Sequence, residues 1–336
     1  MDPERTAAAM KQGHDFVAKV RDALTHARQL PSNNEIIVEP IKGRLYARIG
    51  YENSDLVLIL PGVKDQPSKP IRLSRLIIDY NVQCKVKEGS SETEENVTIV
   101  RLLSPTEYVQ DLFIEIVAIL IRPIPRFNQA TVDDMIRGLI DLFRAMESPS
   151  DSTLLGLWGE LFLIGNAHNP TTVGEAWHPS PQEKFDFSLG DVRVEVKTTA
   201  GPRRHHFSLE QVRPTPGLQM MVASLIVTES ADGLNVVQMI PWVLEKINDR
   251  KIADQIEKTA LKTIGSAQND HSLAKFDKDS ARLALRFYEA STVPQPIQPN
   301  LGVSQVRFVS DLQLIPPTDR AKIRTWGELG RGLVGK

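Results

Sequence analysis

Phe185-Asp186-Phe187-Ser188-Leu189-Gly190-Asp191-Val192-Arg193-Val194-Glu195-Val196-Lys197 is the stretch on which the fold turns. Gly190-Asp191 suits a two-residue hairpin turn, with glycine first as a type II′ turn requires. Residues 189 and 192 then face each other. Counting outward sets Phe187 opposite Val194 and Asp186 opposite Glu195. Period-two alternation collects Phe185, Phe187, Val192, Val194 and Val196 on one face and Asp186, Arg193, Glu195 and Lys197 on the other. One turn assignment therefore predicts an amphipathic hairpin carrying two carboxylates across from each other.

Carboxylates opposed in this way have Cβ atoms roughly 5 Å apart and repel. A divalent cation between them removes the repulsion, and carboxylate, carbonyl and water oxygens suit hard Mg2+. Lys197, two residues on and on the same face, would stand beside such an ion. An ammonium there can orient or help deprotonate a water and neutralise charge on a phosphate. An ordinary amphipathic hairpin also presents D…E-x-K to solvent, and on these residues alone it is the better explanation. Three features outside the hairpin shift the balance. Glu160 is the single charged residue between Leu154 and Ala167, in a helix apolar on nearly every side. A buried carboxylate there needs a cation or hydrogen-bond donors, with an internal salt bridge as an equal alternative. Gly156 and Gly159 weaken the same helix, which fits close packing against a sheet. Ser208-Leu209-Glu210-Gln211 carries a capping-box signature just after a short strand, near Arg203, Arg204, His205 and His206.

Further from the hairpin, the pattern separates into two halves. Residues 154–167 read as a buried helix, 205–208 as a strand, 209–212 as a short helix and 218–228 as a continuous apolar strand central in a sheet. Residues 241–264 read as one long helix with proline in its first turn, and 282–290 and 303–314 return to strand alternation. Towards the start, residues 4–30 follow helical spacing. Residues 44–49, 55–60, 71–79 and 96–102 read as strands of a mostly antiparallel unit, with the SSETEE segment (90–95) as a solvated loop. Ser104-Pro105-Thr106-Glu107 signals a helix ending near Ile121, and Thr131-Val132-Asp133-Asp134 opens a second. The SPSDST run (148–153) reads as a boundary. The expected division is an N-terminal β-rich and helical unit (1–150), a core (151–230) and a C-terminal extension (231–336).

Composition narrows the class. The 336 residues are 41% hydrophobic and 24% charged with a net charge of −2, which excludes a disordered chain. A single thiol, Cys84, excludes a disulfide framework and a cysteine zinc site and suits a reducing cytosol. No apolar run is long enough to span a membrane, and the acidic start does not read as a signal peptide. Residues 1–150 hold 19 basic and 21 acidic side chains, and the remainder 21 of each, so neither half is basic. DNA binding by this chain would have to rely on a local basic rim, an ion or a partner. Arg203, Arg204 and one of the adjacent strand histidines, His206, are candidate phosphate contacts, with a solvated turn as the alternative. His168 and His178 have no metal-ligand spacing, and Trp158 and Trp177 read as core. The glycines of GELGRGLVG (327–335) lack a P-loop lysine-serine pair, and no nucleophile elbow occurs.

Glu160 on a helix, then Asp186, then Glu195-Val196-Lys197 resemble the PD-(D/E)XK nucleases. The contexts GLWGELFLI, AWHP, FDF, VEVKTT and RRHHFSLEQV are similar to a bacterial family known as PD-(D/E)XK motif proteins, over about 75 residues. The resemblance implies an α/β restriction-endonuclease-like core, αβββαβ with a mixed central sheet. It also implies that Asp186 and Glu195 ligate Mg2+ (with Mn2+ able to substitute), that the Val196 carbonyl adds a third ligand, and that Lys197 is the catalytic lysine. Glu160 would contribute through water or a second ion, and Gln211 falls where related nucleases carry a glutamine. The tyrosine sometimes found four residues later is replaced by Thr215, and the proline before Asp186 by Phe185. The implied activity is Mg2+-dependent cleavage of DNA by a cytoplasmic enzyme. Family members tend to lie beside restriction-modification and phage-defence genes. Rival readings are a DNA-binding subunit of a defence complex, a homodimer or larger assembly included, and a nuclease of repair intermediates or branched DNA.

Overall fold

Short apolar runs broken by Gly, Pro, Asn and Asp between residues 35 and 102 fold into one antiparallel sheet. The computed structural model describes residues 17–30, 35–44, 46–63, 69–88, 91–103, 106–124, 127–146, 153–178, 184–266, 273–296 and 304–335. The chain divides into two units, Met1–Asp151 with Leu261–Ser272, and Ser152–Ala260 with Leu273–Lys336.

In the first unit, helix α1 covers residues 17–29 and buries Val20, Ala23, Leu24 and Ala27. The rest of the helix expected over 4–30 lies outside the described residues. Strands β1 (Ile37–Pro40), β2 (Arg48–Glu52), β3 (Asp55–Pro61), β4 (Ile71–Arg72), β5 (Leu76–Glu88) and β6 (Ser91–Leu102) form a sheet in the order β1-β2-β3-β6-β5-β4. The SSETEE segment is not a solvated loop from Ser91 onward. It belongs to β6, which continues a long two-stranded arm with β5, pairing Cys84 with Glu95 and Lys85 with Glu94. Glu92–Asn96 are polar on both faces, so the β6 half of the arm fails an apolar-alternation test, whereas Val82, Cys84 and Val86 alternate with polar residues along β5. The backbone ladder holds it, with exposed cross-strand pairs such as Lys85–Glu92 at 3.4 Å adding little.

Helix α2 (Glu107–Ile121) follows Thr106 directly, so Glu107 opens it. Ser104 and Pro105 lie outside the described residues. Helix α3 (Gln129–Ala145) begins earlier than expected because Asn128 caps it. Asn128 accepts from the Thr131 amide at 3.0 Å, while Thr131 Oγ1 accepts from the Asn128 amide at 2.9 Å. Thr131 is the reciprocal partner of the cap. The stripe Met135, Ile136, Leu139, Ile140, Leu142 and Phe143 is buried. The boundary expected at 148–153 falls, except for Thr153, outside the described residues.

The second unit contains α4 (Leu154–Asn166), α5 (Pro170–Ala176), β7 (Phe187–Leu189), β8 (Val192–Thr199), β9 (Arg204–Ser208), α6 (Leu209–Val212) and β10 (Gln219–Ile226). There follow β11 (Glu229–Leu234), α7 (Val236–Leu244), α8 (Arg250–Ser266, of which the residues from Leu261 belong to the first unit), α9 (Lys278–Ala284), β12 (Arg286–Glu289), β13 (Arg307–Asp311), α10 (Arg320–Arg324) and α11 (Gly327–Val334). Its central sheet runs β12-β10-β8-β7 and is mixed: β10 is parallel to β8, whereas β7–β8 and β10–β12 are antiparallel. The fold is thus the expected mixed α/β type, with α4, β7, β8, β9, α6 and β10 in αβββαβ order and α5 inserted. The third strand of that order, β9, leaves the four-stranded sheet and pairs with β13, setting Phe207 against Phe308. Phe207, Leu209, Val212, Met220, Val222 and Tyr288 close a core beneath it.

Residues 241–264 are two helices. Asp249 Oδ1 accepts from the Lys251 and Ile252 amides and restarts the chain as α8, while Pro241 lies inside α7. Residues 282–284 end α9, whose cap Asp277 accepts from the Ser280 amide, so the strand begins only at Arg286. β13 gives way to a 3-10 turn at Leu312. Among the described residues no helix is long and apolar enough to cross a membrane.

Candidate active site

The hairpin folds in the register that its turn dictates. Gly190 alone in the turn has a positive φ, +57°, and Phe187 pairs with Val194, Ser188 with Arg193 and Leu189 with Val192. β7 is three residues long, so its ladder with β8 stops at Val194. Asp186 stands just beyond, and its Oδ2 accepts a hydrogen bond from the Val196 amide at 2.7 Å. A strand residue sends its amide and carbonyl to the same edge, so the Val196 carbonyl faces the Asp186 side.

Glu195 is 4% exposed. Its Oε1 accepts from Lys197 Nζ at 2.7 Å and from Gln211 Nε2. Gln211 is aimed by its own helix start, since its Oε1 accepts from the Ser208 amide at 2.9 Å. Lys197 Nζ also lies 5.4 Å from the centre of the Phe207 ring. The second oxygen of Glu195, Oε2, is buried and has no hydrogen-bond partner among the described residues. Burial without a partner is costly for a carboxylate oxygen.

Glu160 reaches the same place from α4. That helix lies hard against β8 at Gly159, where a Cβ would come within 1.8 Å of Thr198 Oγ1. The glycine expected to permit close packing does so here, whereas a Cβ on Gly156 would meet only the capping Thr153. Glu160 Oε2 accepts from Trp177 Nε1 at 2.8 Å and lies 3.0 Å from His178 Nε2. Both follow α5, and the segment is tied to the hairpin by a Trp177–Phe187 bridge and by the His178 amide donating to the Asp186 carbonyl at 3.0 Å. Ligand atoms of Glu160, His178 and Asp186 all fall within 4.8 Å of one another.

Electrostatics make this a site short of positive charge. The half-buried Asp186 carboxyl is held well above the ordinary carboxylate range, first by loss of water around it, then by the charges of Glu195 and Glu160. The Val196 amide and Lys197 oppose the shift only in part. The Glu195 carboxyl is also raised, again first by burial, with Lys197 opposing and Glu160 adding. Two raised carboxyls, an orphaned carboxylate oxygen and a carbonyl on one edge fit a hard divalent cation.

A family model described as "Putative PD-(D/E)XK family member", DUF4420, matches residues 22–313. The chain belongs to that family. No curated protein and no solved structure matches it.

In this DUF4420 protein, Asp186, Glu195, Lys197, Val196, Glu160 and Gln211 therefore converge. The expected phosphate contacts do not stay together. Arg203 is 7% exposed, and its guanidinium donates to Ser224 Oγ, the Ser224 carbonyl and the Ala284 carbonyl. It is a buried strut without the exposure a phosphate contact needs. Arg204 is exposed and pairs with Asp311 at 2.9 Å, and His206 is exposed. His205 points inward, its Nε2 2.7 Å from Ser224 Oγ. Sequence spacing missed His178, which has no partner nearby along the chain. Trp177 is core as expected, yet its indole N–H holds Glu160. The adjacent AWHP motif was the one available signal.

Proposed function

We propose that this DUF4420 protein is a Mg2+-dependent DNA endonuclease acting in the cytoplasm in restriction or anti-phage defence. The observation that carries the reading is the divided Glu195 carboxylate. One oxygen is clamped by Lys197 and Gln211 while the other is buried without a donor among the described residues, beside the raised carboxyl of Asp186. That arrangement suits a phosphodiesterase centre better than a structural salt bridge, which would leave no oxygen open.

Asp186, Glu195 and the Val196 carbonyl would hold Mg2+, with Mn2+ as a substitute. When bound, such an ion polarises a phosphoryl oxygen and lowers the pKa of water. The chain supplies the rest. Gln211 fixes the rotamer of Glu195, and Lys197, resting over Phe207, keeps an ammonium at the centre to steady the attacking water and the charge on the phosphate. Glu160, gripped by Trp177, brings a further carboxylate. Arg204 and His206 are the exposed groups that can meet the DNA backbone. The near-neutral charge of both halves of the chain favours help in binding from a second copy or from other subunits of a defence system.

The test is incubation of the full chain with supercoiled plasmid and Mg2+ or Mn2+, beside Asp186→Ala and Lys197→Ala. Cleavage by the wild type that both variants lose is the expected result. Binding without cutting would favour a DNA-binding subunit, and cutting confined to junctions or flaps a repair nuclease. Undiminished cutting by Asp186→Ala would overturn the site assignment.

A further inference from the structure

We propose that His178 is a direct ligand of the divalent cation, giving the centre a mixed nitrogen and oxygen donor set that prefers Mn2+ to Mg2+. The inference rests on the metal-dependent reading above and deepens it. Its first support is distance. His178 Nε2 and Glu160 Oε2 are 3.0 Å apart. Two neighbouring donors on an octahedral ion with bonds of about 2.1 Å stand about 3 Å from each other. The third member, Asp186, lies within the same 4.8 Å cluster. Independently, Glu195 Oε2 is buried with no hydrogen-bond partner among the described residues, within the field of both Glu160 and His178.

The backbone supplies the second support. His178 has φ +42°, in the left-handed region that non-glycine residues rarely enter. The conformation is fixed on both sides by the His178 amide bond to Asp186 and by the Trp177–Phe187 bridge. Glu160 Oε2 already receives the Trp177 indole N–H, so the imidazole is not needed merely to satisfy it. Strain kept at a cluster of ligating groups points to use of the group it aims. An imidazole nitrogen among oxygens raises affinity for Mn2+ and later divalent ions more than for Mg2+, which favours all-oxygen shells.

Pulsed electron paramagnetic resonance on the Mn2+-loaded full chain tests this directly. The wild type should show the modulation of a directly bound 14N nucleus, retained in His206→Gln and absent in His178→Gln and His178→Asn. Calorimetric titration should show Mn2+ binding weakened at least tenfold by His178→Gln, with Mg2+ binding changed less than threefold. Bound Mn2+ without nitrogen coupling in the wild type, or coupling that survives in either His178 variant, overturns the proposal even if plasmid is cut. Nitrogen coupling in a protein that cuts no DNA would uphold the ligand and sink the nuclease reading. Absence of any Mn2+ binding by the wild type sinks both, and it needs no variant to fold.

Discussion

Replacing Gly159 with alanine sets two known effects against each other. Alanine in a helix interior is about 1 kcal/mol better than glycine. At this position, however, its Cβ would fall 1.8 Å from Thr198 Oγ1 and 3.1 Å from Thr198 Cβ. Overpacking of this severity costs about 3 kcal/mol, the upper end of the usual range, so the net expectation is a loss of about 2 kcal/mol. Thr198 Oγ1 is itself buried without a partner among the described residues, so Thr198→Ala alone should be nearly neutral. In the double variant only the 3.1 Å contact remains, and about 1.5 kcal/mol of the loss should return as coupling between the sites. Urea unfolding followed by tryptophan fluorescence suits the measurement, because all four tryptophans (Trp158, Trp177, Trp242 and Trp326) belong to the second unit. Plasmid cleavage supplies a parallel readout, since Glu160 adjoins Gly159 and Lys197 adjoins Thr198. Activity should fall in Gly159→Ala and recover in the pair. A Gly159→Ala protein more stable than wild type, or strictly additive free energies, would refute close packing of α4 on β8.

Asp186→Asn should raise the melting temperature in chelator, because it removes a carboxylate desolvated beside two others, while abolishing cleavage. Saturating metal at a hundred times its Kd should stabilise wild type by about 2.7 kcal/mol and leave Asp186→Asn nearly unmoved; equal stabilisation of both would contradict the ligand assignment. Arg203→Met should cost roughly 2–4 kcal/mol, since three acceptors lose a buried donor. Arg204→Ala should leave unfolding unchanged and flatten the salt dependence of DNA binding; the reverse pattern would restore Arg203 as a phosphate contact. His205, lowered to about 4 by burial and by Arg203, stays neutral in the fold while the unfolded chain protonates near its usual 6.5. Stability should therefore fall as pH drops from about 6.5 to 4, by up to about 3 kcal/mol, and His205→Gln should remove that part of the slope in acid titrations of urea midpoints.

The hairpin register was legible because a Gly-Asp pair and strict alternation leave few alternatives, and Glu160 because a lone charge in an apolar helix demands a partner. The capping pattern marked the start of α6, while the placing of Gln211 at the site came only from the family resemblance. His178 was not legible: its approach to Glu160 depends on a left-handed backbone angle and on a bridge to Phe187, neither of which has a periodicity. Arg203 looked exposed because a turn of charged residues usually is, and only the arrival of Ser224 and Ala284 buries it. The arm of β5 and β6 escaped because its β6 half, Glu92–Asn96, is polar on both faces. The break between α7 and α8 hinged on Asp249 acting as a cap, a role shared in sequence by many surface aspartates.

The shortness of β7 has a consequence for how such a centre can arise and be lost. β8 is laddered to β10 along all eight residues, but to β7 over only three. At Val196 the side chain of Asp186 takes the place of the backbone acceptor that a longer neighbour would have offered. The carboxylate is thus a counterfeit rung in an unfinished ladder. Extending β7 by two residues would complete the sheet, return the Val196 amide to a backbone acceptor, and take from Asp186 the hydrogen bond that aims its carboxylate. On the proposed reading a more regular sheet would then be a poorer enzyme, and a variant selected only for stability should drift in that direction.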